Sequence, residues 1–189
     1  MARRLPLFLT RFLRARRGAT AIEFAIIATP FFVLLFGIIE LGMVFMVSLT
    51  LQNATDNAAR KIRTGAFQTG GSAAKADFKT LVCSSMSWLS APCSSKLTVA
   101  VQTFANFTAA GTSGPAAAAT FNPNNTCFTT GQPGDIVLVR AYNQWDVFTP
   151  LLDASLVNMG AGSGKRLISA ATSFRNEPYS TQTPLGAQC

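Results

Sequence analysis

The stretch from Ala19 to Leu51 reads ATAIEFAIIATPFFVLLFGIIELGMVFMVSLTL, and Glu23 and Glu40 are the charges in it. At ~1.5 Å per residue a helix of this length is about 50 Å long, against a hydrocarbon core of ~30 Å. It can cross a membrane and still protrude. A secretory signal peptide has an apolar stretch of only ~7–15 residues and then a small-x-small cleavage site, so the length argues for an anchor. Pro30 lies inside the stretch and removes one backbone donor, which predicts a kink or local melting near it.

On the N-terminal side stand Arg3, Arg4, Arg11, Arg14, Arg16 and Arg17, with no acidic residue among them. The positive-inside rule then puts the N-terminus in the cytoplasm and everything after Leu51 outside. The net charge of +8 invites a nucleic-acid reading until it is located, because beyond these arginines the chain carries only +2. The basic block is a topology signal, and no nucleic-acid partner is expected. Charged residues are 13% of the chain and hydrophobic ones 49%, a composition of neither a disordered chain nor an average soluble enzyme. Histidine is absent, which removes Ser-His-Asp and Cys-His catalysis and the commonest zinc ligand.

On the C-terminal side the helical period continues through Leu51, Ala54, Ala58 and Ile62, with polar residues on the other faces. Arg60, Lys61 and Arg63 suit the negative end of the helix dipole, and Gly65 suits the left-handed position after it. One helix is therefore predicted from about Ala19 to Thr64. After a break at Gly70-Gly71-Ser72, the spacing of Phe78, Leu81, Val82, Met86 and Leu89 predicts a short amphipathic helix that Pro92 stops. Strands are predicted at Leu97, Val99 and Val101, at Asp135 to Trp145, and at Leu167 to Phe174. Thr149 as N-cap and Pro150 after it open a helix through Leu151, Leu152, Leu156 and Met159, ended by Gly160. Residues 106–134 are rich in Ala, Gly, Thr, Asn and Pro, offer no apolar period, and read as a long loop.

The fold class that follows is α+β: a long N-terminal transmembrane helix carrying a small extracytoplasmic domain of about three antiparallel strands and short helices. Its parts are a basic cytoplasmic leader (1–18), a transmembrane and protruding helix (19–64), and a periplasmic α/β domain (65–189) that contains the loop 106–134.

The junction Arg16-Arg17-Gly18-Ala19-Thr20-Ala21-Ile22-Glu23-Phe24 resembles a type IV prepilin cleavage site, a basic leader ending in glycine followed by a glutamate inside an apolar helix. From Gly18 to Arg60, including Gly37-Ile38-Ile39-Glu40-Leu41-Gly42 and Leu51-Gln52-Asn53-Ala54, the chain resembles the TadE-like proteins of the tight-adherence (Tad/Flp) pilus system. Phe174-Arg175-Asn176-Glu177-Pro178 is similar to the tail of that family. The resemblance implies a minor pseudopilin with a pilin-like domain, cut by a prepilin peptidase between Gly18 and Ala19, held in the bacterial inner membrane and able to enter the pilus. It also implies assembly through Glu23, Phe24 and Glu40, with other pilin-like subunits (TadF/TadG-like proteins and the Flp pilin) as partners. The alternative is an uncleaved, signal-anchored envelope protein that binds a partner or a surface.

Physical chemistry gives the cleavage-site spacing a purpose. Cleavage frees the α-amine of Ala19, largely positive near neutral pH. Glu23, one turn on, is costly in hydrocarbon unless a cation satisfies it. In the pilin-like reading that cation is the Ala19 amine of a neighbouring subunit; in the plain-anchor reading Glu23 faces water at the headgroups. Glu40 lies ~25 Å further along the axis, where it either snorkels to the outer headgroups or makes a second intersubunit contact, with Gly37 and Gly42 allowing close approach. The sequence names no partner for it.

Cys83, Cys93, Cys127 and Cys189 all follow the helix, and an even number on the oxidising side implies disulfides. Of the three possible pairings, Cys83–Cys93 with Cys127–Cys189 is favoured. No metal site is expected, because no C-x-x-C and no histidine supports one, and no cofactor either. Gly160-Ala161-Gly162-Ser163-Gly164-Lys165 fails as a phosphate loop: Met159 stands where the first glycine belongs, and Arg166 follows the lysine. Asp77, Asp135, Asp146, Asp153 and Glu177 show no convergent spacing, so no enzyme activity is expected. Tyr142 and Trp145 are read as core residues before a binding edge.

Overall fold

The computed structural model describes residues 18–69, 74–149 and 152–180. The leader arginines, the Gly70-Gly71-Ser72 break, Pro150, Leu151 and Cys189 lie outside the described residues. The chain divides into two compact units, Met1–Ile39 and Glu40–Cys189.

Helix α1 runs over Ala19–Arg63 with Pro30 inside it. The helix is unbroken at Pro30, so the local melting predicted there does not occur. Ile22, Phe24, Ile26 and Ile27 are exposed, and by length and composition the helix is long and apolar enough to cross a membrane. After α1 come α2 (Ala66–Thr69), α3 (Lys75–Ser84), a 3-10 turn (Ser87–Leu89), α4 (Ser90–Lys96), β1 (Leu97–Phe104), α5 (Phe107–Thr112), β2 (Ile136–Asp146), α6 (Asp153–Leu156) and β3 (Lys165–Arg175). The strands form one antiparallel sheet in the order β1-β2-β3. The α+β class with three antiparallel strands and short helices is thus borne out.

The residues of α1 from Glu40 onward belong to the core of the second unit. Val47, Leu51, Ala54, Ala58 and Ile62 are buried along one stripe and share a cluster with Val99, Val101, Val137, Val139, Ala141, Ile168 and Ala170 of the sheet. The dimensions match. From residue 40 to residue 63 the helix rises about 35 Å, and an eleven-residue strand such as β2 covers about 35 Å at ~3.3 Å per residue. Sheet and helix segment therefore begin and end together, and small side chains at Ala54, Ala58 and Ala59 let them approach closely.

Three expectations need correction. Pro92 does not stop a helix; it sits in the first turn of α4, where a missing N–H costs nothing because that donor has no partner inside the helix. Among the described residues the α-helix after Thr149 covers Asp153–Leu156 and does not reach Met159, which packs instead beneath the far face of the sheet. The loop 106–134 is not unpacked. It contains α5, a 3-10 turn at Ala118–Thr120, and Phe128, which is buried in the core. Its residues 127–129 bond along the outer edge of β1, with Val101 N–H donating to Cys127 O (2.9 Å) and Thr129 N–H to Val101 O (2.8 Å). That covers an otherwise open strand edge.

The same loop crosses the sheet face turned away from α1. Phe121 and Ala118 pack with Ala100, Tyr142 and Leu167, the Ala116 N–H donates to the Tyr142 hydroxyl (3.1 Å), and Arg140 donates to the hydroxyl and carbonyl of Ser113. Covering both faces explains why β2 opens with the unbroken run Ile136-Val137-Leu138-Val139 in place of alternation. Tyr142 and Trp145 are both core residues, on opposite faces.

Candidate functional site: a carboxylate latch and a helix-end clamp

The α1 stripe that meets the sheet begins at Glu40, one heptad before Val47. Its carboxylate is 1% exposed. The Phe148 N–H donates to Oε1 and the Thr149 N–H to Oε2, each at 2.8 Å. Local chemistry makes these two amides available. The last bond continuing the β2–β3 ladder is from Val147 N–H to Gly164 O (2.9 Å), so Phe148 and Thr149 have left the ladder, and the proline after them carries no N–H at all. An ionised carboxylate has two oxygens to match two donors. Glu40 thus finds its partners inside its own chain, 108 residues away from Phe148.

At the other end of this helix segment the chain forms a clamp. The last carbonyls of a helix need outside donors. Ile62 O receives Gly65 N–H (3.0 Å) and Gln68 Nε2 (3.1 Å), and Arg63 O receives Glu177 N–H (2.9 Å). Arg63 Nε pairs with the Glu177 carboxylate at 3.1 Å, an exposed and hence weak ion pair. Gly65 takes φ +76°, and the Tyr179 ring lies so close that a Cβ there would be 2.4 Å from its Cγ. Asn176, 3% exposed, donates from Nδ2 to Thr130 O and Gln132 O (3.0 Å each) and to the Tyr179 hydroxyl (3.3 Å). Gln68 Nε2 also donates to that hydroxyl at 3.1 Å. Burial, followed by the nearby Asp135 charge, pushes the Tyr179 pKa up, while the bond from Gln68 opposes them. The segment Phe174 to Pro178 is therefore where the last strand is fastened to the end of α1.

Gly18 is exposed, and so are Glu23 and Phe24 on α1. Glu23 makes no hydrogen bond or ion pair with the described residues. A Cβ on Gly42 would meet nothing within 4 Å, so no close approach among the described residues uses it. Cys83 and Cys93 are joined, Cα to Cα 5.6 Å, tying the last turn of α3 to α4. Cys127 is disulfide-bonded too, whereas Cys189, the partner favoured for it above, lies outside the described residues.

The carboxylates after α1 have separate structural tasks. Asp77 accepts the Ala74 N–H (3.3 Å) at the start of α3, Asp135 accepts the Gln132 N–H (2.7 Å), and Asp146 pairs with Lys96 (2.5 Å). Lys75 donates to Thr126 O (2.9 Å) and Oγ1 (2.6 Å); burial, then the Lys79 charge, lowers its pKa.

Sequence reasoning missed the Glu40 latch, although a signal existed. Extending the stripe Leu51, Ala54, Ala58, Ile62 backwards by three and four residues leads through Val47 and Val44 to Glu40. That extension shows which face Glu40 is on, but no local pattern points to residues 148 and 149.

The fold and these two tethers define a class: a helix that is apolar enough to cross a membrane and continues as the spine of a small α+β domain. Over residues 18–60 the chain matches the model of the family described as TadE-like protein. The matched family is one of pilus-related proteins. No curated protein and no solved structure matches the chain.

Proposed function

We propose that the protein is a minor pseudopilin of the tight-adherence pilus that acts in pilus assembly or initiation. The supporting observation is that the TadE-like match begins at Gly18, the residue that ends the basic leader and stands five before Glu23. In this reading a prepilin peptidase cuts between Gly18 and Ala19, the leader stays in the cytoplasm, and the mature helix remains in the inner membrane with its domain in the periplasm. The chain is the substrate of a protease and itself a building element. Glu23 and Phe24 are exposed on the helix and free to meet other pilin-like subunits, Glu23 through a neighbour's Ala19 amine. Glu40 contributes to assembly by holding the domain in one pose on its helix. The second bridge of the domain is Cys127–Cys189.

Intact mass of the protein from pilus-producing cells tests maturation. A chain beginning at Ala19 is expected, and the leader should stay attached when Gly18 is replaced by a bulky residue. A full-length wild-type protein would instead favour the uncleaved envelope anchor. Assembly is tested separately: Glu23→Ala and Glu23→Gln should be inserted and cut but fail to associate with partner subunits, because the charge-assisted part of the contact is lost. Normal cleavage with normal pili in both variants would reject the intersubunit role.

A further inference from the structure

The end of the outer domain that carries the Glu40 latch combines three features. First, α1 just past Glu40 exposes a band of large apolar side chains: Leu41 52%, Phe45 71%, Met46 56% and Leu49 56%. Glu40, on the sheet-facing side of the same helix, is sealed with both oxygens on backbone amides, so it adds no exposed charge beside the band. Second, Phe148, whose own N–H is one of those amides, is 54% exposed, and its ring is braced edge-on against Trp145 at 5.4 Å. It is a fixed aromatic beside the latch, the kind of residue that settles at a membrane–water interface. Third, cations gather at this end of the sheet. Lys165 faces Asp146 and Arg166 faces Trp145 in the β2–β3 register, and Lys96 reaches Asp146. Lys96 and Lys165 thus flank Asp146, while Arg166 stands on the other sheet face and donates to Leu156 O (2.8 Å).

We infer that this end of the domain is a phospholipid-docking face. Phe148 and the band from Leu41 to Leu49 enter the interfacial layer of the leaflet nearest the domain, and Lys96, Lys165 and Arg166 meet the lipid phosphates. The observation favouring lipid over a protein partner is continuity. The band lies on the same helix that is apolar enough to cross a membrane, and aromatic and basic side chains flank it in the order in which they flank a bilayer core. Sealing Glu40 therefore has a second consequence besides fastening the domain: it lets the bilayer continue past residue 40. The inference rests on the helix spanning a membrane and not on cleavage at Gly18, so either can fail without the other.

Spin labels placed singly at Phe45→Cys, Leu49→Cys and Phe148→Cys in the full chain test it, after reconstitution into phosphatidylcholine bilayers with and without phosphatidylglycerol. No cysteine among the described residues is free to compete for the label. Phe107→Cys is the control: Phe107 is 51% exposed and follows the opposite end of β1, where Phe104 pairs with Ile136. Collisions with oxygen, which partitions into lipid, should exceed those with a water-soluble nickel chelate at 45, 49 and 148, with the reverse at 107. Phosphatidylglycerol should lower chelate access at 148 further, and Lys165→Gln with Arg166→Gln should remove that added protection. Chelate access at 45, 49 and 148 equal to that at 107 overturns the proposal. So does protection from both reagents that appears only as protein density in the bilayer rises, because the face is then covered by a second helix. Should the label at 148 disturb the latch, the two helix positions decide alone.

Discussion

Replacing Glu40 perturbs the fold where a single side chain holds two distant parts together. In Glu40→Ala, the amides of Phe148 and Thr149 each lose a charged acceptor at 2.8 Å. A hydrogen bond to a charged group contributes about 1.5–3 kcal/mol, and stranding a buried donor costs about 1–3 kcal/mol. Thr149 is buried and bears the full penalty, whereas Phe148 is half exposed and regains water in part. The expected loss is about 3–4 kcal/mol for Ala. In Glu40→Gln one amide keeps an oxygen and the other faces an NH₂, so the loss should be about 2 kcal/mol. For a unit of this size the Ala variant should melt roughly 6–16 °C lower. Thermal unfolding of the full chain in detergent, followed by near-UV circular dichroism, reads the stability; hydrogen exchange of the Phe148 and Thr149 amides reads the latch itself. Unchanged melting together with unchanged protection at these two amides would refute the reasoning.

Other substitutions probe the clamp and the bridge. Gly65→Ala forces a Cβ to 2.4 Å from the Tyr179 ring at φ +76°; a loss of about 1–3 kcal/mol is expected, and adding Tyr179→Ala should relieve only the steric part, which a double-mutant cycle of melting temperatures measures. Removing the Cys83–Cys93 bridge, which spans a sequence separation of 10, by a double alanine substitution should cost about 2–3 kcal/mol in denaturant titration. The Tyr179 pKa is raised on folding, so its contribution to stability is complete below the ordinary value of 10.0 and is lost as pH rises through the raised one. Tyr179→Phe should flatten the alkaline fall in stability, and a pH–stability profile of equal steepness in both proteins would contradict this.

What the sequence determined by itself is the part written in local periodicity. An apolar run too long for a signal peptide, a three-to-four-residue stripe continuing to Ile62, and a glycine at position 65 placed α1 almost to the residue. β-branched runs placed the three strands, because a strand's own side chains carry its pattern. Tertiary structure decided everything that depends on which surfaces meet. Residues 106–134 show no period, since beyond the short α5 and a 3-10 turn they pack as irregular backbone whose anchors, Phe121 and Phe128, act singly and are recognised only once the sheet beneath them exists. Pro92 reads as a terminator locally, yet it is harmless in a first turn that begins just before it. Glu40 is the clearest case. Its residue type and depth suggested headgroups or a neighbouring subunit, and only the folded sheet brings the amides of Phe148 and Thr149 beneath its carboxylate, for a hydrogen bond between residues more than a hundred positions apart leaves no mark on either segment alone.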